Sequence, residues 1–178
     1  VLHTLRALVP DRRLSHLESM RLAEQQADLL RDILNVTDDT FPAAMIEQIP
    51  FITVKLVPEL PVSGLAFWGD HTWKIHIRSA ESLVHRRFTV LHEFKHIIDH
   101  PLSGRLYDER AYVALGEREL VADYFAACAL LPAKNLRTAY EEIHDRRELA
   151  RHFGVTGRRL ALRLAELGIE PTTSNVTE

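Results

Sequence analysis

His92-Glu93-Phe94-Lys95-His96 is the stretch that decides how this chain is read. Two histidines four apart bracket a glutamate inside an apolar run, with Phe88-Thr89-Val90-Leu91 before it and Ile97-Ile98 after. On a helix of 3.6 residues per turn, positions i and i+4 lie one above the other on one face. Two imidazoles can then grip one metal ion. Glu93 falls beside that ion, where a general base for a metal-bound water belongs. The HExxH pattern is the helix signature of zinc peptidases. The plainer reading is a helix with two unconnected histidines and a solvated glutamate.

A catalytic zinc site needs three protein ligands and one position left for water. The third ligand should come from another element. Residues 117–132 read as a helix that stops before Pro132. Glu119, Ala122, Asp123, Ala126, Ala127 and Leu130 share one stripe of it. The small alanines allow close approach to a neighbouring helix. Glu119 is thus the candidate third ligand. Asp123, one turn on, is the candidate acceptor for the outer N–H of a ligand imidazole, which fixes the ring's tautomer. The alternative for Glu119 is a helix-start acid complementing the dipole.

With these residues on the page, the chain resembles the ImmA/IrrE family of metallopeptidases. The resemblance rests on Arg87-Phe88-Thr89 leading into His92–His96, on the stretch Glu119–Ala127, and on Leu130-Leu131-Pro132. It implies zinc bound by His92, His96 and Glu119, with Glu93 as catalytic base. It also implies a protein substrate, a helix-turn-helix repressor of a phage, mobile element or stress regulon. Manganese or iron suits the same ligands. Members often carry Leu-Gly where this chain has Phe94-Lys95, and the spacing before Leu-Leu-Pro is one residue longer here. Neither inner HExxH position ligates. Lys95 is expected to sit outward in solvent or to tune the site.

At 178 residues and 46% hydrophobic, the chain can bury one core. A net charge of −3 gives no general pull toward nucleic acid or membrane. The absence of any 18-residue apolar run argues against a membrane span, and no stretch reads as a signal peptide. The single cysteine, Cys128, excludes an intrachain disulfide and fits the cytoplasm. A start at Val1 rather than Met reads as processed, trimmed or tagged, with room for an earlier segment.

The expected fold class is α+β: a minimal zincin-like core with a small antiparallel or mixed sheet beside the HExxH helix, flanked by N- and C-terminal helices. Residues 1–50 form the N-terminal helical segment, with an amphipathic helix in 11–34 and a short helix through Gln48. The peptidase core is 51–145. It holds a strand at 51–57, a hairpin of 64–68 and 72–78 about a Gly69-Asp70 turn, the HExxH helix ending at Asp99, and a loop with room for a helical turn over 101–116. Residues 146–168 read as a helix-turn-helix-like pair, and 169–178 as a polar tail. The 72–78 strand is the expected sheet edge for pairing with substrate backbone, or it simply closes the core.

Further candidates carry two readings each. His100, eight after His92, supports the site or caps the helix end. Tyr107, Tyr112 and Tyr124 are oxyanion-donor candidates or core residues. His71, His76 and His85 show no ligand spacing. Thr156 is the N-cap of the last helix. Arg158, Arg159 and Arg163 make that helix basic, for DNA contact or for packing on the core. They support the rival reading, a non-proteolytic, toxin–antitoxin-like module that binds DNA or a repressor.

Overall fold

A computed structural model of the chain describes residues 1–107 and 111–169, with 111–115 as backbone alone. Residues 170–178 of the expected polar tail lie outside the described residues. The architecture is α+β. Strands β1 (Ile52–Val57), β2 (Gly64–Gly69) and β3 (Thr72–Arg78) form one sheet in the order β1-β3-β2. β1 runs parallel to β3, and β2 antiparallel. The 72–78 strand is therefore central and not the expected edge. Its alternation, with Ile75 and Ile77 fully buried, reports which face is covered but says nothing of how many neighbours a strand has. Gly69 pairs with Thr72, so the hairpin turn is Asp70-His71, one residue later than expected. Both have positive φ, 49° and 58°, as a two-residue type I′ turn requires.

The helices are α1 (Leu2–Arg6), α2 (His16–Ile33), α3 (Leu83–Asp99), α4 (Ser103–Leu106), α5 (Ala111–Leu130), α6 (Ala133–Glu142), α7 (Arg146–Phe153) and α8 (Gly157–Glu166), with short 3-10 segments at Ala43–Gln48 and His100–Leu102. α1 was not expected from the sequence. α5 begins well inside the span 101–116 expected as a loop, and Gly116 sits within it. A helix-interior glycine costs about 1 kcal/mol, which burial of the following turns outweighs. Ala122, Phe125, Ala126, Cys128 and Ala129 are all buried. A helix apolar around its circumference belongs in the core, and α5 packs against both α2 and α3.

Two arginines and a lysine lock the layers. Arg87, on α3, donates to the carbonyls of Phe41 and Gly154, each at 2.8 Å. Gly154 ends α7 in the left-handed region at φ 63°, and a Cβ there would lie 2.1 Å from Arg87 Nη1. The left-handed φ favours glycine, and a side chain there would also push the Arg87 guanidinium aside. Arg163 of α8 is 1% exposed. It donates to Glu24 of α2, to the Tyr124 hydroxyl and to the Leu131 carbonyl. Lys95 is likewise buried and does not reach solvent. It donates to Asp99 at 2.6 Å and to Gln26 of α2 at 2.7 Å, while Tyr107 donates to the other Asp99 oxygen. No described helix is long and apolar enough to cross a membrane.

Candidate metal centre

His92 and His96 lie on one face of α3, as their spacing requires, and α5 brings Glu119 against them. His92 Nε2 is 3.1 Å from His96 Nε2 and 3.2 Å from Glu119 Oε2. His96 Nε2 is 3.4 Å from Glu119 Oε1. Zinc–nitrogen and zinc–oxygen bonds of roughly 2.1 Å in a tetrahedron place neighbouring ligand atoms about 3.4 Å apart. The closest approaches among the three side chains are near that separation, the two histidines meeting different oxygens of Glu119. The His92 Nδ1–H donates to Asp123 Oδ1 at 2.8 Å. In the neutral ring this leaves the Nε2 lone pair facing the other two ligand atoms. Donor type, spacing and tautomer all fit a divalent cation.

Asp123 is itself held from the other side. Both terminal nitrogens of Arg159, on α8, lie 3.1 Å from Asp123 Oδ2, and the guanidinium stacks 3.8 Å above the Phe88 ring. The continuous chain of contacts runs Arg159, Asp123, His92. Charge follows the geometry. Hydrogen bonds from His92 and His96 hold the Glu119 carboxyl well below its ordinary range. Burial disfavours a charged His92, but the Asp123 and Glu119 carboxylates outweigh it and raise its pKa to about 9.

Glu93 follows His92 and is 7% exposed. Burial pushes its carboxyl up, opposed by the nearby His92 and His96 rings and, less, by a hydrogen bond from the Ala66 backbone N–H. Ala66 belongs to β2, the sheet edge beside α3. Gly64 makes that approach possible: a Cβ there would lie 2.4 Å from Thr89 Cγ2 and 3.1 Å from Glu93 Oε1. The resulting cleft, about 690 Å³, has Val62–Ala66 on one wall and Glu119, Asp123 and Arg159 on the other.

The other sequence candidates fall elsewhere. His100 caps the end of α3 through its backbone N–H and sets its ring edge-on to Trp73, at 5.0 Å between centroids. Tyr107 is tied to Asp99, and Tyr124 to Glu24 and Arg163. The Tyr112 side chain lies outside the described residues. Of the basic triplet, Arg159 and Arg163 turn inward, and Arg158 alone is exposed. α7 and α8 are two short helices joined through Gly154 and Thr156. Gly64 and the site-facing role of Arg159 were missed, since neither has a local sequence signal.

Residues 52–165 match the family model of the IrrE N-terminal-like domain, peptidase M78. The chain belongs to this metallopeptidase family. No curated protein matches it in sequence. Among solved structures, a Mycobacterium tuberculosis transcriptional regulator is similar at TM-score 0.63 and 19% identity. The match covers 92% of this chain and 51% of that one, so the IrrE-like chain spans about half the length of its neighbour. That likeness is one of fold.

Proposed function

We propose that this chain is a zinc-dependent endopeptidase of the cytoplasm that cuts a helix-turn-helix transcriptional repressor. The observation that carries the reading is the convergence of His92, His96 and Glu119, each offering a ligand atom within 4.8 Å of the others. Three protein ligands leave one corner free, whereas a structural zinc site normally has four, often cysteines. When bound, zinc polarises the scissile carbonyl and makes its water a stronger acid near neutral pH. Glu93 takes the proton from the attacking water and delivers it to the departing amine. Burial of its carboxyl brings this base closer to working pH. Asp123 holds the His92 ring, and the β2 edge offers backbone groups to an extended peptide. The lone buried Cys128 is in keeping with a reducing compartment. Single cleavage would part the repressor's DNA-binding and oligomerising halves. The fold's likeness to a protein titled a transcriptional regulator is in keeping with gene control.

The test is co-incubation of the zinc-loaded chain with the regulator encoded beside it. Glu93→Gln should retain zinc and lose cleavage by roughly 10²- to 10⁴-fold. His92→Ala should lose both. Failure of the intact protein to take up any transition metal under saturating zinc would sink the reading.

A further inference from the structure

Where the start of α3 meets α8 lies a second cavity of about 370 Å³, which shares Phe88, Asp123 and Arg159 with the metal cleft. Cleavage at the metal gives it no task. Its lining is mixed. Phe88, Leu130 and Leu162 supply apolar surface, while His85, Arg158 and the Asp123–Arg159 pair supply polar groups. With His85 neutral, two arginines against one carboxylate leave an excess of one positive charge, in a chain whose net charge is −3. Arg158 is exposed and meets no acceptor among the described residues. Arg159 is only partly used. Both its terminal nitrogens address one oxygen of Asp123, which leaves the other N–H groups of the guanidinium without an acceptor among the described residues. Its side chain is 32% exposed and that of Asp123 38%, so a solute reaches the pair from solvent.

We propose that this cavity binds a small organic acid, an apolar ring or chain carrying one carboxylate, and that the bound acid loosens the metal centre by drawing Arg159 off Asp123. The binding stands apart from the peptidase reading, and the effect on zinc rests on it. The apolar wall and the uncompensated cation ask for both parts of such a molecule. A neutral apolar body leaves Arg158 unpaired, and an inorganic anion leaves Phe88, Leu130 and Leu162 against water. The volume lies at the small end of the range for ligand sites, roughly 300–1,000 Å³, which suits a one-ring acid. A free carboxylate offers both oxygens to the planar fork of a guanidinium, which adds geometric fit as well as strength. Asp123 divides its two oxygens between Arg159 and His92, so it cannot offer Arg159 the same fork without releasing His92. An acid that takes Arg159 leaves Asp123 without the cation that fixes it, and the His92 ring loses a fixed partner. Two sites that share a residue are coupled reciprocally: zinc weakens the acid by the factor by which the acid weakens zinc.

Phenylacetate tests this, titrated by calorimetry into the zinc-loaded full chain, with acetate and benzyl alcohol as the charge-only and body-only controls. Acetate carries the same carboxylate, so ligation of zinc alone gives no preference over it. Phenylacetate should bind more tightly than either control by about 10-fold or more. Arg158→Gln removes the free cation and Leu162→Trp fills the cavity, and each should weaken phenylacetate by about fivefold or more. Both residues are exposed, and neither borders the metal cleft. Zinc affinity is then read by chelator competition with and without saturating phenylacetate. It should fall by about threefold to 10-fold, the upper figure being the low end of what an outer partner of a ligand histidine is worth, and Arg159→Ala should abolish the difference. No binding, binding equal to either control, indifference to both Arg158→Gln and Leu162→Trp, or zinc affinity unmoved by phenylacetate would each overturn the proposal while leaving the peptidase reading intact. A fall in zinc affinity that persists in Arg159→Ala would overturn it too, by showing phenylacetate acting on the metal itself. A chain that takes up no zinc would overturn the peptidase reading and the coupling together, and the same titration of that chain would still decide the acid site.

Discussion

Arg159 reaches the candidate metal centre only through Asp123. Its guanidinium is fixed by Phe88 below and by both bonds to one oxygen of Asp123, and the other Asp123 oxygen fixes His92. Outer partners of metal-bound histidines are worth roughly 10- to 100-fold in metal affinity. Arg159→Ala should therefore weaken zinc binding by about 10-fold in a chelator competition. Arg159→Lys should recover only part of this, because an ammonium lacks the planar fork. Zinc affinity equal to wild type in Arg159→Ala would show that Asp123 holds the ring unaided.

At the scale of elements, α3 serves two layers at once. One face carries the candidate ligands. Another carries Lys95, buried with Asp99, Gln26 and Tyr107. Removing one partner of a buried ion pair strands the other, at a cost of about 3–5 kcal/mol. Urea denaturation of Lys95→Ala should report a loss of that size, and Lys95→Ala with Asp99→Ala together should lose less than the sum. α2 gives a pH-dependent case. Its N-terminus is a capping box between Ser15 and Glu18. The Arg12 hydrogen bond, then those from Ser15, lower the Glu18 carboxyl from 4.5 to about 2. A depressed carboxyl stabilises the fold above its unfolded value and ceases to do so as pH falls through the folded one. The difference in urea midpoint between wild type and Glu18→Gln should be present at pH 7 and shrink between about pH 4.5 and about 2.

Across the whole molecule, the C-terminal helices are a wall of the site rather than an appendage. α8 sends Arg159 to Asp123 beside the candidate metal centre and Arg163 into the seam between α2 and α5. Arg163→Ala leaves Glu24 with the Tyr124 hydroxyl but no cation, and empties a buried position. A loss of about 3 kcal/mol follows, at the low end for such pairs because Glu24 is about a third exposed. Thermal or chemical unfolding would register it. Were Arg163 a DNA contact, the same variant would change salt-dependent binding and leave stability near wild type.

Much of the site was legible because its spacing is local. His92 and His96 are one helical turn apart, and so are Glu119 and Asp123, so any α-helix presents each pair on one face. Thr156 and Asp145 cap their helices through contacts three residues away, again within reach of sequence reading. The strand alternation of 72–78 located a buried face for the same reason. Tertiary structure decided what depends on neighbours distant in the chain. It made β3 central and β2 the edge, because pairing order is set by packing on α3 and not by pattern. It buried Lys95, since an Asp99–Gln26–Tyr107 cage drawn from three elements can satisfy an ammonium that sequence alone would leave in water. It turned Arg159 and Arg163 inward, although a basic helix reads the same whether its charges meet solvent or carboxylates. It also required glycine at position 64, where the obstacle to a side chain is Thr89 and Glu93, twenty-five and twenty-nine residues away in sequence.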